Sequence, residues 1–301
     1  MIKPGVHTDI SIEDYHADCD YLSATNIKWA RKSLSEFHYN MSKKVNGEEQ
    51  ERKSHFDFGN VFELALCDPK GAFVEKVVIR EDDMWVSEAR NAQPDIKVLR
   101  NSKTYQERSK EFERNINGRY VINDIGKESY ECIEHMIESC IKDKIINALL
   151  ANMEYQVSCF WEDPETGIKL KTRPDICKRK NNVIVNVKTL DDGSPQSFSR
   201  ELAKYDYPLQ ATIEMRGVIA SGLMDHVDKY FWLVCEKSPP YNATIYNFDQ
   251  KDWGYCDDEL NYLLVKLKKA KEQNLWPGYS DRADNQYGIL TAEIPLYYRT
   301  I

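Results

Sequence analysis

Residues 167–190, GIKLKTRPDICKRKNNVIVNVKTL, decide the fold. Two runs within them read as strands, 167–178 and 182–190, separated by the turn-like KRKNN. Val183-Ile184-Val185 is apolar at consecutive positions, the pattern of a central strand buried on both faces. Side chains alternate along a strand, so Ile184, Asn186 and Lys188 share one face and Val183, Val185 and Val187 the other. Asn186 and Lys188 therefore stand side by side, and hairpin pairing brings Asp175 beside them.

Upstream, residues 153–162 (MEYQVSCFWE) add a strand across the turn DPETG, which makes a meander of three. Downstream, 195–223 reads as a helix with Pro195 near its start and Gly222 near its end. Two further strands, 227–236 and 241–248, join through Ser238-Pro239-Pro240, and 250–273 forms a last amphipathic helix. Toward the N-terminus, 126–151 repeats Tyr130, Ile133, Met136, Ile137 and Cys140 at helical spacing. Residues 55–67 place Phe58, Val61, Phe62, Ala65 and Leu66 on one helical face, which Asp68-Pro69 ends. Ser23, with Asn26 three residues on, opens a helix through Ile27, Ala30 and Leu34. Residues 47–54 read as a charged loop or helix lead-in and 73–81 as a strand. Residues 82–125 are polar, with Trp85, Pro94 and a charged helix near 104–116, and read as an inserted or flexible part. The stretch from Trp276-Pro277-Gly278 onward reads as a tail. The order predicts an α/β protein, a central mixed sheet flanked by helices. It is expected to be one domain over 1–301, with N-terminal helices at 45–125, a core at 126–250 and a C-terminal helix and tail at 251–301.

The 301 residues are 42% hydrophobic and 30% charged, which suits a globular chain. A net charge of −8 excludes a wholesale basic coating for nucleic acid. No apolar run reaches the length of a membrane span, and MIKPGVHTDI lacks a signal-peptide pattern, so a cytoplasmic protein is expected. The eight cysteines form no C-x-x-C pair and the six histidines no H-E-x-x-H, so buried, reduced thiols are expected.

Asp175 and Lys188 suit phosphodiester hydrolysis. A carboxylate holds a divalent cation, Mg²⁺ or Mn²⁺, which polarises the phosphate and activates water, while a lysine places that water or stabilises charge. One position departs from this chemistry: a carboxylate is expected where Asn186 stands, and an amide oxygen carries no charge.

Arg173-Pro174-Asp175 with Val185-Asn186-Val187-Lys188-Thr189 resembles the PD-(D/E)xK nuclease superfamily. More closely, the chain resembles the exodeoxyribonuclease VIII family, the RecE-type phage recombination exonucleases. Pro4-Gly5-Val6, Tyr15-His16 and Leu22-Ser23-Ala24-Thr25 are similar to that family's opening pattern. Phe56-x-x-Gly59 through Asp68-Pro69 is similar to its glycine-helix block, and Tyr205-x-Tyr207-x-x-Gln210 to its tyrosine–glutamine helix. The resemblance spans roughly residues 4–235.

It implies a restriction-endonuclease-like core and a metal-dependent exodeoxyribonuclease. Such an enzyme degrades linear double-stranded DNA from 5′ to 3′ and exposes a 3′ strand for a single-strand annealing recombination protein. It also implies a ring-shaped homo-oligomer such as a tetramer, no membrane association, and a phage or prophage product in the host cytoplasm. The metal ligands implied are Asp175, Asn186, the Val187 carbonyl and Glu63, which stands where the family has histidine. Lys188 and Gln210 complete the catalytic set. Seven basic residues against two acidic ones in 165–190 predict a basic stripe beside the pocket, extended by Lys28, Arg31, Lys32, Lys43 and Lys44. The DNA contacts expected are Arg173, Lys178, Arg179, Lys180, Thr189 and Tyr207. Asn186, where the family carries aspartate, implies slow cleavage or none, with Asn186→Asp raising it about 100-fold or more. The alternative reading is a catalytically dead DNA-end-binding recombination or anti-defence protein on the same fold.

Overall fold

The computed structural model describes residues 2–48, 54–93, 95, 97–282 and 285–294. Much of the charged 47–54 segment, Pro94, the Phe56 side chain and the end of the tail lie outside the described residues. In chain order the elements are β1 (Gly5–His7), α1 (Ile12–Ala17), α2 (Ala24–Lys32), α3 (Leu34–Val45), α4 (Ser54–Cys67), α5 (Ala72–Lys76) and β2 (Val77–Arg80). Then come α6 (Asp82–Ala92), α7 (Lys103–Asn115), β3 (Tyr120–Asn123), α8 (Tyr130–Lys142), α9 (Lys144–Leu150), β4 (Glu154–Tyr155) and β5 (Ser158–Glu162). The remainder is β6 (Lys169–Thr172), β7 (Ile176–Lys178), β8 (Val183–Leu190), α10 (Pro195–Lys204), α11 (Tyr207–Ala220), β9 (Lys229–Glu236), β10 (Ala243–Asn247) and α12 (Gln250–Gln273). Among the described residues no helix is long and apolar enough to cross a membrane.

The central sheet has the order β10-β9-β8-β7-β4. It is mixed: β8 and β9 run parallel, whereas β7 and β10 are antiparallel to their neighbours. The expected meander is corrected in one respect. Residues 153–162 and 167–178 each break in two, and β5 lies between β1 and β6 in a separate three-stranded sheet. Gln156, at φ +48°, turns the chain out of the first run. Pro174, which has no N–H for a ladder, interrupts the second. Asp175 therefore sits where the chain crosses from one sheet to the other.

β8 is apolar on both faces because both are covered. Val183, Val185 and Val187 pack with Phe58, Val61 and Phe62 of α4 and with α8. Ile184 packs with Phe198 of α10 and Ala211, Met215 and Val218 of α11. Each such side chain contributes about 1.5–3 kcal/mol by leaving water, so the strand carrying positions 186 and 188 is clamped.

Local chemistry divides several of the expected helices. Ser23 donates its backbone N–H to Asn26 Oδ1 at 2.8 Å, opening α2, and Ser33 Oγ then caps α3. Asp143 accepts from the backbone of Ile145 and Ile146 and starts α9, splitting the 126–151 helix. Asp206, at φ +52°, divides 195–223 into α10 and α11. The 73–81 strand is half helix, because the Asp68 carboxylate accepts from Gly71 and Ala72 and caps α5. Residues 82–125 hold α6 and α7, packed through Trp85, Tyr105 and Phe112, and β3, which pairs in parallel with β2.

Candidate active site

A cleft of about 950 Å³ opens at the C-terminal end of β8. Glu63 reaches it from α4, Lys28 from α2, Asp175 from the sheet crossing, Val187, Lys188 and Thr189 from β8, and Tyr207 and Gln210 from α11. Of the six residues expected to form the metal and catalytic set, Glu63, Asp175, Val187, Lys188 and Gln210 share this cleft. The sixth, Asn186, is 1% exposed and lies beneath its floor.

Asp175 Oδ2 accepts from the Val187 backbone N–H at 2.7 Å. Burial raises its carboxyl, while the Lys188 ammonium and that N–H pull it back. Glu63 Oε1 accepts from Gln156 Nε2 at 2.9 Å. Burial, and then the neighbouring Asp175 charge, push Glu63 up to about 8. The Tyr155 hydroxyl is buried nearby without a hydrogen bond of good geometry.

Beneath the floor lies a residue that the sequence reading missed. Glu214, one turn beyond Gln210 on α11, is 2% exposed. It accepts from Gln210 Nε2 at 2.9 Å, Tyr230 Oη at 2.8 Å and, more distantly, Asn186 Nδ2 at 3.4 Å. Burial and the Asp175 charge raise it to about 7. Gln210 is thereby a bridge, since its Oε1 accepts from Lys28 Nζ at 3.3 Å. Asn186 Oδ1 is buried with no hydrogen-bond partner. The only sequence signal for Glu214 was its i, i+4 spacing from Gln210 within a largely apolar helix.

The Lys188 ammonium lies 4.7 Å from the centre of the Tyr207 ring, which stacks on Tyr205. Lys28 approaches the same ring at 5.7 Å. Burial, and then the Lys188 charge, lower Lys28 to about 8.

The expected basic stripe does not form beside the cleft. Arg173 donates to Ser158 Oγ at 2.7 Å and to the Ile10 carbonyl at 2.6 Å, tying down the N-terminal segment. Lys171 is buried on the Tyr15 and Asp18 carbonyls. Lys178 donates to the Ala148 and Ala151 carbonyls at the end of α9, and Arg179 pairs with Glu154 at 2.7 Å. Lys180 is exposed on the same turn. That turn precedes β8, whereas the cleft lies at the strand's other end, about 17 Å away at 3.3 Å per residue. Local charge in sequence was not local charge in space. Among the described residues the cleft's own cations are Lys28, Lys32, Lys188, Lys204 and Lys237, facing seven carboxylates.

The residues suit a hard divalent cation. Two half-buried carboxylates repel one another without one, and the buried Asn186 carbonyl oxygen lacks any donor; Mg²⁺ and Mn²⁺ take such oxygens. Asp175, Glu63 and Asn186 Oδ1 would supply them. Among the described residues no group of three or more His, Cys, Asp or Glu side chains could hold a metal, so the third oxygen here is the amide's.

A family model described as a PDDEXK-like domain of unknown function, DUF3799, matches residues 23–287. The crystal structure of a "Putative exonuclease" from Eubacterium rectale is similar over 98% of this chain and 99% of that one, with 13% identity and a TM-score of 0.58. The structure of SSO0001 aligns over 73% of this chain and 88% of that one at 16% identity, with a TM-score of 0.29, too low to bear on the fold. No curated protein matches the chain. The first likeness agrees with the mixed sheet and flanking helices described above.

Proposed function

This chain belongs to the PDDEXK-like family DUF3799, and on that premise we propose that it is a divalent-metal-dependent deoxyribonuclease acting on ends of linear duplex DNA. The observation that carries this reading is the meeting of Glu63, Asp175 and Lys188 in one cleft over the unpartnered Asn186 Oδ1. When bound, the cation supplies charge stabilisation of the phosphate and a more acidic water. The Val187 N–H fixes the Asp175 carboxylate in the cleft. Lys188, backed by the Tyr207 ring, sets a positive charge where a phosphoryl oxygen or the attacking water must lie. Gln210 holds Lys28 toward the same space as a second phosphate contact. Mg²⁺ as the working cation, 5′-to-3′ polarity, delivery of the 3′ strand to an annealing protein and a ring oligomer belong to the same proposal; the RecE-type motif order supports them.

The test is digestion of linear duplex, labelled at the 5′ or the 3′ end, with Mg²⁺, Mn²⁺ or EDTA. Metal-dependent loss of the 5′ label first is expected. Lys188→Ala should lower the rate about 100-fold or more while leaving the fold intact. Cleavage in EDTA, or full activity without Lys188, would overturn the assignment. The amide at 186 favours a second reading, end binding without cleavage. Tight duplex-end binding with no product in either metal would establish that one instead.

A further inference from the structure

From the contacts beneath the cleft we infer that Glu214 is a positioning residue: it holds the Asn186 amide so that the carbonyl oxygen is offered beside Asp175, and it supplies from behind the negative charge that Asn186 lacks. The inference rests on the metal-dependent reading above. A bound cation would draw Glu214 into its ionised form, which has only acceptors, so the Asn186 amide would meet it only through its N–H. That contact, Nδ2 to Oε1 at 3.4 Å, leaves Oδ1 buried and without a donor. Such orphaned oxygens are rare in folded proteins and call for an unseen partner. The remaining Glu214 contacts, from Gln210 and Tyr230, hold the carboxylate against β8 and β9.

Helix α11 otherwise buries Leu209, Ala211, Ile213, Met215 and Val218 around this position. Keeping a carboxylate there costs stability, and an apolar or amide residue would cost less. A purely structural tie between α11 and Tyr230 is indifferent to what stands at 186. A charge supplied through Asn186 is not. The pair Asn186–Glu214 is then one negative charge shared by two positions, and an aspartate at 186 would require position 214 to become a donor. This reverses the expectation that Asn186→Asp alone restores activity.

The experiment compares the full chain with Asn186→Asp, Glu214→Gln and the double variant. Mn²⁺ affinity is read by electron paramagnetic resonance, and Tm is read without metal. Glu214→Gln should weaken Mn²⁺ binding about 10-fold or more. Asn186→Asp should leave the affinity unchanged or lower and should lower Tm, because two buried carboxylates then meet without an N–H between them. The double variant should recover both, since the amide introduced at 214 donates to the carboxylate introduced at 186. Unchanged Mn²⁺ binding in Glu214→Gln overturns the inference alone. Absence of Mn²⁺ binding in all four proteins overturns the metal-dependent reading, and the inference with it. Should Glu214→Gln fail to fold, Asn186→Asp still decides: a gain in Mn²⁺ affinity of about 10-fold or more with Glu214 in place rejects the inference.

Discussion

Val187 donates its backbone N–H to Asp175 Oδ2 at 2.7 Å, so the strand that carries Lys188 also aims the carboxylate facing it. One carboxylate oxygen is thereby occupied and held in place. Asp175→Asn keeps an acceptor for that N–H and should fold, with a Tm close to that of the parent. It removes the charge, and loss of a direct ligand should cost more than the 10–100-fold typical of outer contacts, about 100-fold or more in cleavage. Cleavage by Asp175→Asn within about 10-fold of the parent would place the cation elsewhere.

Glu63 makes the metal-free protein sensitive to pH. Its folded carboxyl is raised to about 8, mainly by burial and then by Asp175. From the unfolded value near 4.5 up to about 8, the folded chain keeps a proton that the unfolded chain has lost. Stability is therefore full below that window and falls as pH rises through it. One pKa unit is worth about 1.4 kcal/mol, so the metal-free Tm should fall by about 5 °C or more between pH 5.5 and 8.5. Glu63→Gln, whose side-chain oxygen still accepts from Gln156, should flatten that fall, and saturating Mn²⁺ should oppose it. Parallel Tm profiles for parent and Glu63→Gln would show that another group titrates.

The legible and the hidden parts of this chain differ in their physics. β8 was legible because a strand covered on both faces needs apolar residues at consecutive positions, and Val183-Ile184-Val185 supplies them. Asp175 and Lys188 were legible as a pair because the hairpin register is short-range. The division into two sheets was not, since alternation reveals faces but not which sheet a strand joins. The fate of Arg173 and Lys178 was hidden for a related reason: both spend their charge on carbonyls far away in sequence. Glu214 was hidden because nothing in the spacing of a helical carboxylate says that it will be buried against position 186.

Lys28 adds a second pH dependence, of opposite origin. Burial, and then the Lys188 charge, lower its ammonium to about 8, so it loses its charge as pH rises through that value. Duplex affinity should weaken several-fold between pH 7 and 9, and the slope of log affinity against log salt should fall by about one phosphate contact. Lys28→Arg keeps its charge throughout and should hold both quantities steady, while still donating to Gln210. Filter binding across pH and salt measures this. Identical profiles for the parent and Lys28→Arg would remove Lys28 from the phosphate path.

The basic turn before β8 gives a prediction of no effect on DNA. Arg179 is paired with Glu154, Lys178 caps the α9 carbonyls, and the whole turn lies at the far end of the strand from Lys188. That separation, about 17 Å, is twice the screening length of about 8 Å at physiological salt, so its charge should not reach the cleft. Reversing Arg179 and Lys180 together to glutamate should change duplex affinity and cleavage rate by less than about twofold at that salt. Lys178→Ala should act on the fold instead, lowering stability by about 1 kcal/mol as two α9 carbonyls lose their donor, with cleavage per folded molecule unchanged. A tenfold loss of DNA affinity on reversing Arg179 and Lys180 would mean that duplex DNA runs the length of β8 and wraps past the cleft, making this turn part of the nucleic-acid surface after all.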